Sequence, residues 1–181
     1  MMEAVIRPAT EADIAGILEI VNEYAAQNLM LPRTAAQIRL VLRHFLVAES
    51  EGRVAGCGSL VELTPGLAEL RSLAVAPAWR GTGLGRRLVQ ALIERARQAG
   101  YEQLCALTLA EGFFTRLGFT TVDRWAISPK IWHECIYCPK FDACDEIAVL
   151  MTLTEPEITS EQVEPNAMLW RPLRIGTLGN W

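Results

Sequence analysis

Residues 73–85 read Leu73-Ala-Val75-Ala-Pro77-Ala-Trp-Arg80-Gly81-Thr-Gly83-Leu-Gly85: an apolar strand, a proline turn, an arginine and alternate glycines. Leu84, Leu88, Leu92 and Ala96 then recur at one-turn spacing, so a helix starts inside the glycines. A helix N-terminus presents unpaired N–H groups and a partial positive charge, which together favour a phosphate. Glycines leave no Cβ between that backbone and its ligand. Two nucleotide-binding loops are excluded. A P-loop needs Lys-Ser or Lys-Thr behind its last glycine, and neither follows. The dinucleotide fingerprint needs a third glycine at position 86, which is Arg86. The pattern present is Arg-x-x-Gly-x-Gly directly behind a Val-x-Pro turn.

Upstream, residues 4–7 read as a first strand, and Thr10 as the N-cap of a helix starting near Glu11 with Ile14, Ile17, Leu18 and Val21 on one face. A loop over residues 28–33 contains Pro32. Thr34 then caps a second helix expected to run to about His44, with Ile38, Val41 and Leu42 as its apolar face. Residues 45–48 and 54–61 read as strands around a Ser50–Arg53 turn, and residues 67–75 as the strand feeding the glycine loop. Downstream, Gly100 stops the long helix. A strand (103–109), a short helix (111–117) and a strand (119–122) follow, then an irregular stretch and a last strand over 145–153.

The Arg80–Gly85 loop, with its strand and helix in register, resembles the acetyl-CoA loop of the GNAT superfamily of N-acetyltransferases. The element order is that of the GNAT fold, and the resemblance covers about residues 4–153. It implies an α/β fold: a mixed, mostly antiparallel sheet, splayed at the acetyl-CoA site, with helices on both faces. The expected division is an acetyltransferase domain over 1–154 and a tail over 155–181. Pro156, Pro165 and Pro172 interrupt the tail, while Trp170 and Trp181 could dock on the body or on a second subunit, as in a homodimer.

Composition narrows the class. The 181 residues, 51% hydrophobic, suit one domain with a sizeable core. A formal charge of −4 argues against non-specific nucleic-acid binding, which depends on basic surface. No apolar stretch approaches the ~18 residues of a spanning helix, and the N-terminus carries no signal-peptide core. No membrane association is expected, and the chain reads as cytoplasmic. In that compartment the five cysteines are thiols or metal ligands rather than disulfides.

Acyl transfer to an amine needs a held thioester, a polarised carbonyl and a neutral amine. The resemblance implies that the backbone of Leu73, Ala74 and Val75 pairs with pantetheine like an added strand. One of their N–H groups is then aimed at the thioester oxygen, where charge develops. It also implies that Arg80, Gly81, Thr82, Gly83, Leu84, Gly85 and Arg86 hold the pyrophosphate. Since α-amino groups ordinarily titrate near 8, some base must take a proton. Glu69 and Arg71 sit two apart on one strand face, and Glu69 stands where many family members carry a catalytic carboxylate; the alternative is a surface ion pair with Arg71. Phe113-Phe114-x-x-Leu-Gly118-Phe119 resembles the family's F-Y-x-x-L-G-F motif, whose tyrosine often reprotonates the departing thiolate. Phe114 has no proton to give and is expected beside the pantetheine arm.

Two segments bear on the acceptor. Leu31-Pro32-Arg33-Thr34 resembles the L-x-R-[ST] loop of N-acetylglutamate synthases, and residues 130–146 resemble the C-terminal segment of their short, stand-alone form. This implies transfer to the α-amine of L-glutamate, the first step of arginine biosynthesis, with Leu31, Arg33, Arg71 and Lys130 facing the acceptor. Two carboxylates beside an amine call for cations with fork geometry. His133, Cys135, Cys138 and Cys144 could form a zinc site or be ordinary thiols; no metal is expected. Cys57 and Cys105 read as core. The alternatives are transfer to another amino acid or small amine, and a non-catalytic acyl-CoA- or partner-binding module.

Overall fold

The computed structural model describes residues 3–153; the expected tail lies outside them. Seven strands form one sheet: β1 (Val5–Pro8), β2 (Phe45–Ser50), β3 (Arg53–Thr64), β4 (Leu67–Val75), β5 (Gln103–Thr108), β6 (Thr120–Val122) and β7 (Ile147–Thr152). Their order is β1-β2-β3-β4-β5-β7-β6. Only β4 and β5 run parallel, since the long helix between them carries the chain back across the sheet. The helices are α1 (Ile14–Ala26), α2 (Ala35–Leu40), α3 (Leu84–Gln98), α4 (Glu111–Thr115) and α5 (Ser128–His133).

Strand alternation sends side chains to two cores. Phe45, Val47, Cys57 and Ala74 pack with Ile14, Ile17 and Val21 of α1 and with Ile38 of α2. Leu60, Leu70 and Leu104 pack with Val89, Leu92 and Ala96 of α3 and with Phe114 of α4. The sheet thus carries helices on both faces, as expected. The apolar stripe Leu84, Leu88, Leu92 and Ala96 is wholly buried, and Gly100 ends the segment at φ +81°.

The start of α1 is tightened into a 3-10 turn over Glu11–Asp13. Asp13 is buried and accepts the Thr10 N–H (2.7 Å), the Thr10 hydroxyl (2.9 Å) and both Arg7 amines (2.8 and 2.9 Å). Hydrogen bonding from Arg7 holds its carboxyl down at about 2. That fastening of β1 to α1 is present above the ordinary carboxylate range and is lost as pH falls through about 2.

One element differs from expectation. The second helix stops at Leu40 rather than near His44, and Leu42–His44 is a 3-10 turn. Of its expected apolar face only Ile38 is fully buried, and Val41 is exposed. Phe45 must enter β2 in register with Ser59, and a continued α-helix could not deliver it there. The N-terminus is as read: Thr34 and Gln37 form a reciprocal capping box, at 2.9 and 3.2 Å. The stretch between β6 and β7 contains α5 and three 3-10 turns. Ile127, packed with Leu67, Cys105 and Ala148, and buried Ile131 anchor it to the sheet beside the β4–β5 junction.

Candidate active site

The site begins where the sheet opens. β4 pairs with β5 only over Leu67–Glu69 against Gln103–Cys105, and beyond Glu69 the strands part. On its other edge β4 stays paired with β3, but with a bulge: Ser59 faces Arg71 and Cys57 faces Ala74. Ser72 takes up the extra residue at φ +51°. The displaced carbonyls keep partners, since the Ser59 hydroxyl donates to Arg71 O (3.2 Å) and the Cys57 thiol to Ser72 O (3.5 Å). The bulge also shifts which residues face α3, from Ala68 and Leu70 before it to Leu73 and Val75 after it. Ala76 N–H donates to Ala55 O toward β3, so the planar peptide points the Val75 carbonyl the other way, into the gap. The gap is therefore an open strand edge able to pair with an extended amide chain.

At the foot of the gap lies a groove of about 410 Å³, lined by Leu73, Ala74, Val75, Arg80, Gly81, Gly83, Leu84, Gly85 and Arg86, among others. Gly83 is the N-cap of α3, at φ +84°. The first intrahelical bond runs from Arg87 N to Gly83 O, leaving the preceding amides of the first turn for a ligand. Thr82 is not part of this lining; its hydroxyl closes the loop onto Trp79 O at 2.7 Å.

The other end of the gap opens into a cavity of about 450 Å³. Its walls include Leu31, Arg33, Glu69, Arg71, Lys130 and Phe114, all singled out in the sequence. Glu69 and Arg71 share a face and form an ion pair, and Glu69 is only 3% exposed. Glu69 also meets Lys130 Nζ at 3.1 Å, Lys130 meets Glu134 at 2.6 Å, and Glu134 meets Arg71 at 2.5 Å. Two carboxylates and two cations thus alternate in a closed ring joining β4 to α5. Burial works against ionising Glu134, yet Lys130 and Arg71 hold its carboxyl below the usual range.

Arg71 and Lys130, expected to face the acceptor, are therefore committed to carboxylates of the protein itself. Among the described residues, Arg33 and Lys140 of the cavity wall have no carboxylate within 4 Å. Asn22 fixes the backbone of Arg33 from both sides: Arg33 N–H donates to its Oδ1 (2.9 Å) and its Nδ2 donates to Arg33 O (3.0 Å). Phe114 lies in the cavity wall, edge-on to Phe113 and Phe119 with ring centroids 5.2 Å apart in both pairs; Phe113 is the ring that borders the groove.

Lys140, Asn22, Glu134 and Tyr24 were not singled out. Glu134 carried a local signal, four residues beyond Lys130 at the C-cap of α5. Cys57 and Cys105 are core thiols that burial pushes up to about 12. Cys138 and Cys144 line the cavity, and His133 is exposed. Among the described residues, no group of three or more His, Cys, Asp or Glu side chains is arranged to hold a metal ion. No described helix is long and apolar enough to cross a membrane.

A groove for an extended, phosphate-bearing molecule that meets a charged cavity at its inner end suits a transferase with two substrates. The chain belongs to the acetyltransferase (GNAT) family, whose match spans residues 14–119; the family takes its acetyl group from acetyl-CoA. It is 40% identical over 148 residues to an uncharacterized N-acetyltransferase of Chlorobaculum tepidum, covering 82% of this chain and 96% of that protein. It is 32% identical over 141 residues to an amino-acid acetyltransferase of Mycobacterium tuberculosis, covering 76% of this chain and 79% of that one. A crystal structure of a Mycobacterium tuberculosis protein in complex with CoA and NLQ superposes with a TM-score of 0.72 at 27% identity, over 83% of this chain and 99% of that one. The N-acetylglutamate synthase of Neisseria gonorrhoeae, complexed with coenzyme A and N-acetyl-glutamate, shares the fold. Its TM-score is 0.74 at 23% identity, over 86% of this chain and 36% of that longer one.

Proposed function

We propose that this chain transfers the acetyl group of acetyl-CoA to the α-amine of L-glutamate, the first step of arginine biosynthesis, by direct attack of the amine on the thioester. The observation that carries the acceptor is a pair of cations without a carboxylate partner among the described residues, Arg33 and Lys140, on the wall of the cavity that adjoins the groove; Lys140 Nζ donates only to the Asn28 carbonyl, at 3.4 Å. An acceptor with two carboxylates supplies the charges those cations lack, and charge-assisted hydrogen bonds are the strong ones. The Mycobacterium tuberculosis relative named as an amino-acid acetyltransferase supports the same class of acceptor.

In this reading pantetheine lies along the open edge of β4, paired with the backbone of Leu73–Val75. A backbone N–H there donates to the thioester oxygen and stabilises the charge that gathers on it during attack. The first turn of α3 and the Gly81–Arg86 loop hold the pyrophosphate. Glu69, turned into the cavity between Arg71 and Lys130, takes the amine's proton directly or through water. Its ring partners hold it in orientation, and Leu31 and Arg33 position the amino acid.

The test is thiol release from acetyl-CoA across a panel of amino acids and small amines. Glutamate should give the highest kcat/KM. The glutamate reading fails if another amine is turned over while glutamate and glutamine are not. The non-catalytic reading holds if acetyl-CoA binds and no amine is acetylated. Arg33→Ala should raise KM for glutamate and leave KM for acetyl-CoA nearly unchanged. A lost charge-assisted hydrogen bond of about 1.5–3 kcal/mol corresponds to about 10- to 150-fold. If Arg33 reads the side-chain carboxylate, glutamate suffers far more than glutamine; if it reads the α-carboxylate, both suffer alike. An unchanged KM for both would remove Arg33 from the site.

A further inference from the structure

The transferred carbonyl must sit where the groove meets the cavity, because the cofactor enters by one and the amine by the other. Among the described residues, three line both: Tyr24, Leu73 and Phe113. Of these, Tyr24 alone has a side chain with an exchangeable proton. We infer that the Tyr24 phenol donates the proton taken up by the departing CoA thiolate, the task for which Phe114 is chemically unfit. The inference rests on acetyl transfer from acetyl-CoA and is independent of which amine accepts the group.

Three contacts place the hydroxyl. Tyr24 lies near the C-terminal end of α1, and its Oη donates to the Val75 carbonyl at 2.9 Å. That carbonyl points into the gap, so the hydroxyl lies on the path an extended amide chain would follow. Arg80 Nε donates to the same phenol oxygen at 3.2 Å, and its guanidinium lies 4.9 Å above the ring. That guanidinium, which also lies 3.8 Å from Glu23 Oε1, holds the phenol in place at the junction from both its oxygen and its ring face. Phe113 contributes only an apolar ring to the same junction.

The amine nitrogen bonds to the carbonyl carbon and gives up a proton. The carbon–sulfur bond breaks with its electron pair going to sulfur. The Tyr24 Oη proton moves to that sulfur, giving CoA thiol and phenolate. The amine's proton passes through Glu69 to solvent, and the phenolate recovers one from solvent. No oxidant or further reactant is needed.

The experiment compares wild type with Tyr24→Phe, using the amine that wild type acetylates best, so that failure of the glutamate reading leaves the test intact. The expected result is a kcat lowered about 100-fold, the low end of general-acid effects, because a thiol with a pKa of about 8.5 leaves tolerably unaided. KM for acetyl-CoA should change little. The deficit should shrink above pH 8.5, where the free thiolate no longer needs a proton. Adding Phe114→Tyr to Tyr24→Phe should restore part of kcat. A kcat within threefold of wild type overturns the inference, and so does a deficit that is constant with pH and not relieved by the second substitution. Should Tyr24→Phe fail to fold, fluorotyrosine at position 24 decides. The alkaline limb of kcat must move down with the more acidic phenol, and an unmoved limb overturns the inference.

Discussion

Gly83→Val is expected to weaken acetyl-CoA binding by about 100-fold or more while leaving the fold in place. In the proposed reading a cofactor phosphate sits on the first turn of α3 and accepts hydrogen bonds from backbone amides, and bonds to charged groups contribute about 1.5–3 kcal/mol each. Losing one or two of them gives an effect of that order. A Cβ at Gly83 meets no protein atom within 4 Å, so the side chain would project into the space through which the ligand approaches. The substitution also has a backbone cost, because φ is +84° and left-handed geometry costs an L-residue about 1–2 kcal/mol. Gly52 separates the two effects. It has φ +75° and equally open surroundings, but it sits in the β2–β3 turn, away from the groove. Gly52→Val should lower thermal stability by a similar amount and leave calorimetric affinity for acetyl-CoA unchanged. Equal affinities in Gly83→Val and wild type would show that the loop does not hold the cofactor.

The glycine loop was legible in the sequence because its signals are local. An apolar strand, a proline, alternate glycines and a 3.6-residue stripe lie within 25 residues, and β4 and α3 fall where they place them. The end of α2 was not legible, because the residues after Leu40 answer to the register of Phe45 against Ser59 rather than to their own periodicity. The charged ring was half visible. Glu69 and Arg71 share a strand face, and Lys130 and Glu134 lie one turn apart at the end of α5, but nothing local says that the two pairs meet across the chain between them. That meeting depends on Ile127 and Ile131 anchoring the irregular segment to the sheet. Tyr24 is the plainest case. Its sequence neighbours mark it as part of an amphipathic helix, and only the splay of β4 gives its hydroxyl the Val75 carbonyl as a partner.

Glu69→Gln is expected to lower kcat by about 10²- to 10⁴-fold near neutral pH, the range over which a positioned base contributes. The ring complicates this test and also makes it decisive. Glu69 accepts from Arg71 on one oxygen and from Lys130 on the other. A glutamine must turn its NH₂ toward one of these cations, leaving that cation with Glu134 alone. Breaking a buried pair from one side costs about 3–5 kcal/mol, so a lowered melting temperature is expected whether or not Glu69 takes part in the chemistry. Stability therefore cannot separate a base from a strut, but the pH profile can. A base is needed only while the amine is protonated, and α-amino groups titrate near 8. If Glu69 takes the proton, the deficit in Glu69→Gln narrows as pH rises past that point, since the amine then arrives neutral. If Glu69 only holds Arg71 and Lys130 in place, the deficit is the same at every pH. Glu134→Gln is the companion measurement. It opens the same ring from its exposed side, and it should cost stability while leaving the shape of the pH profile that of wild type.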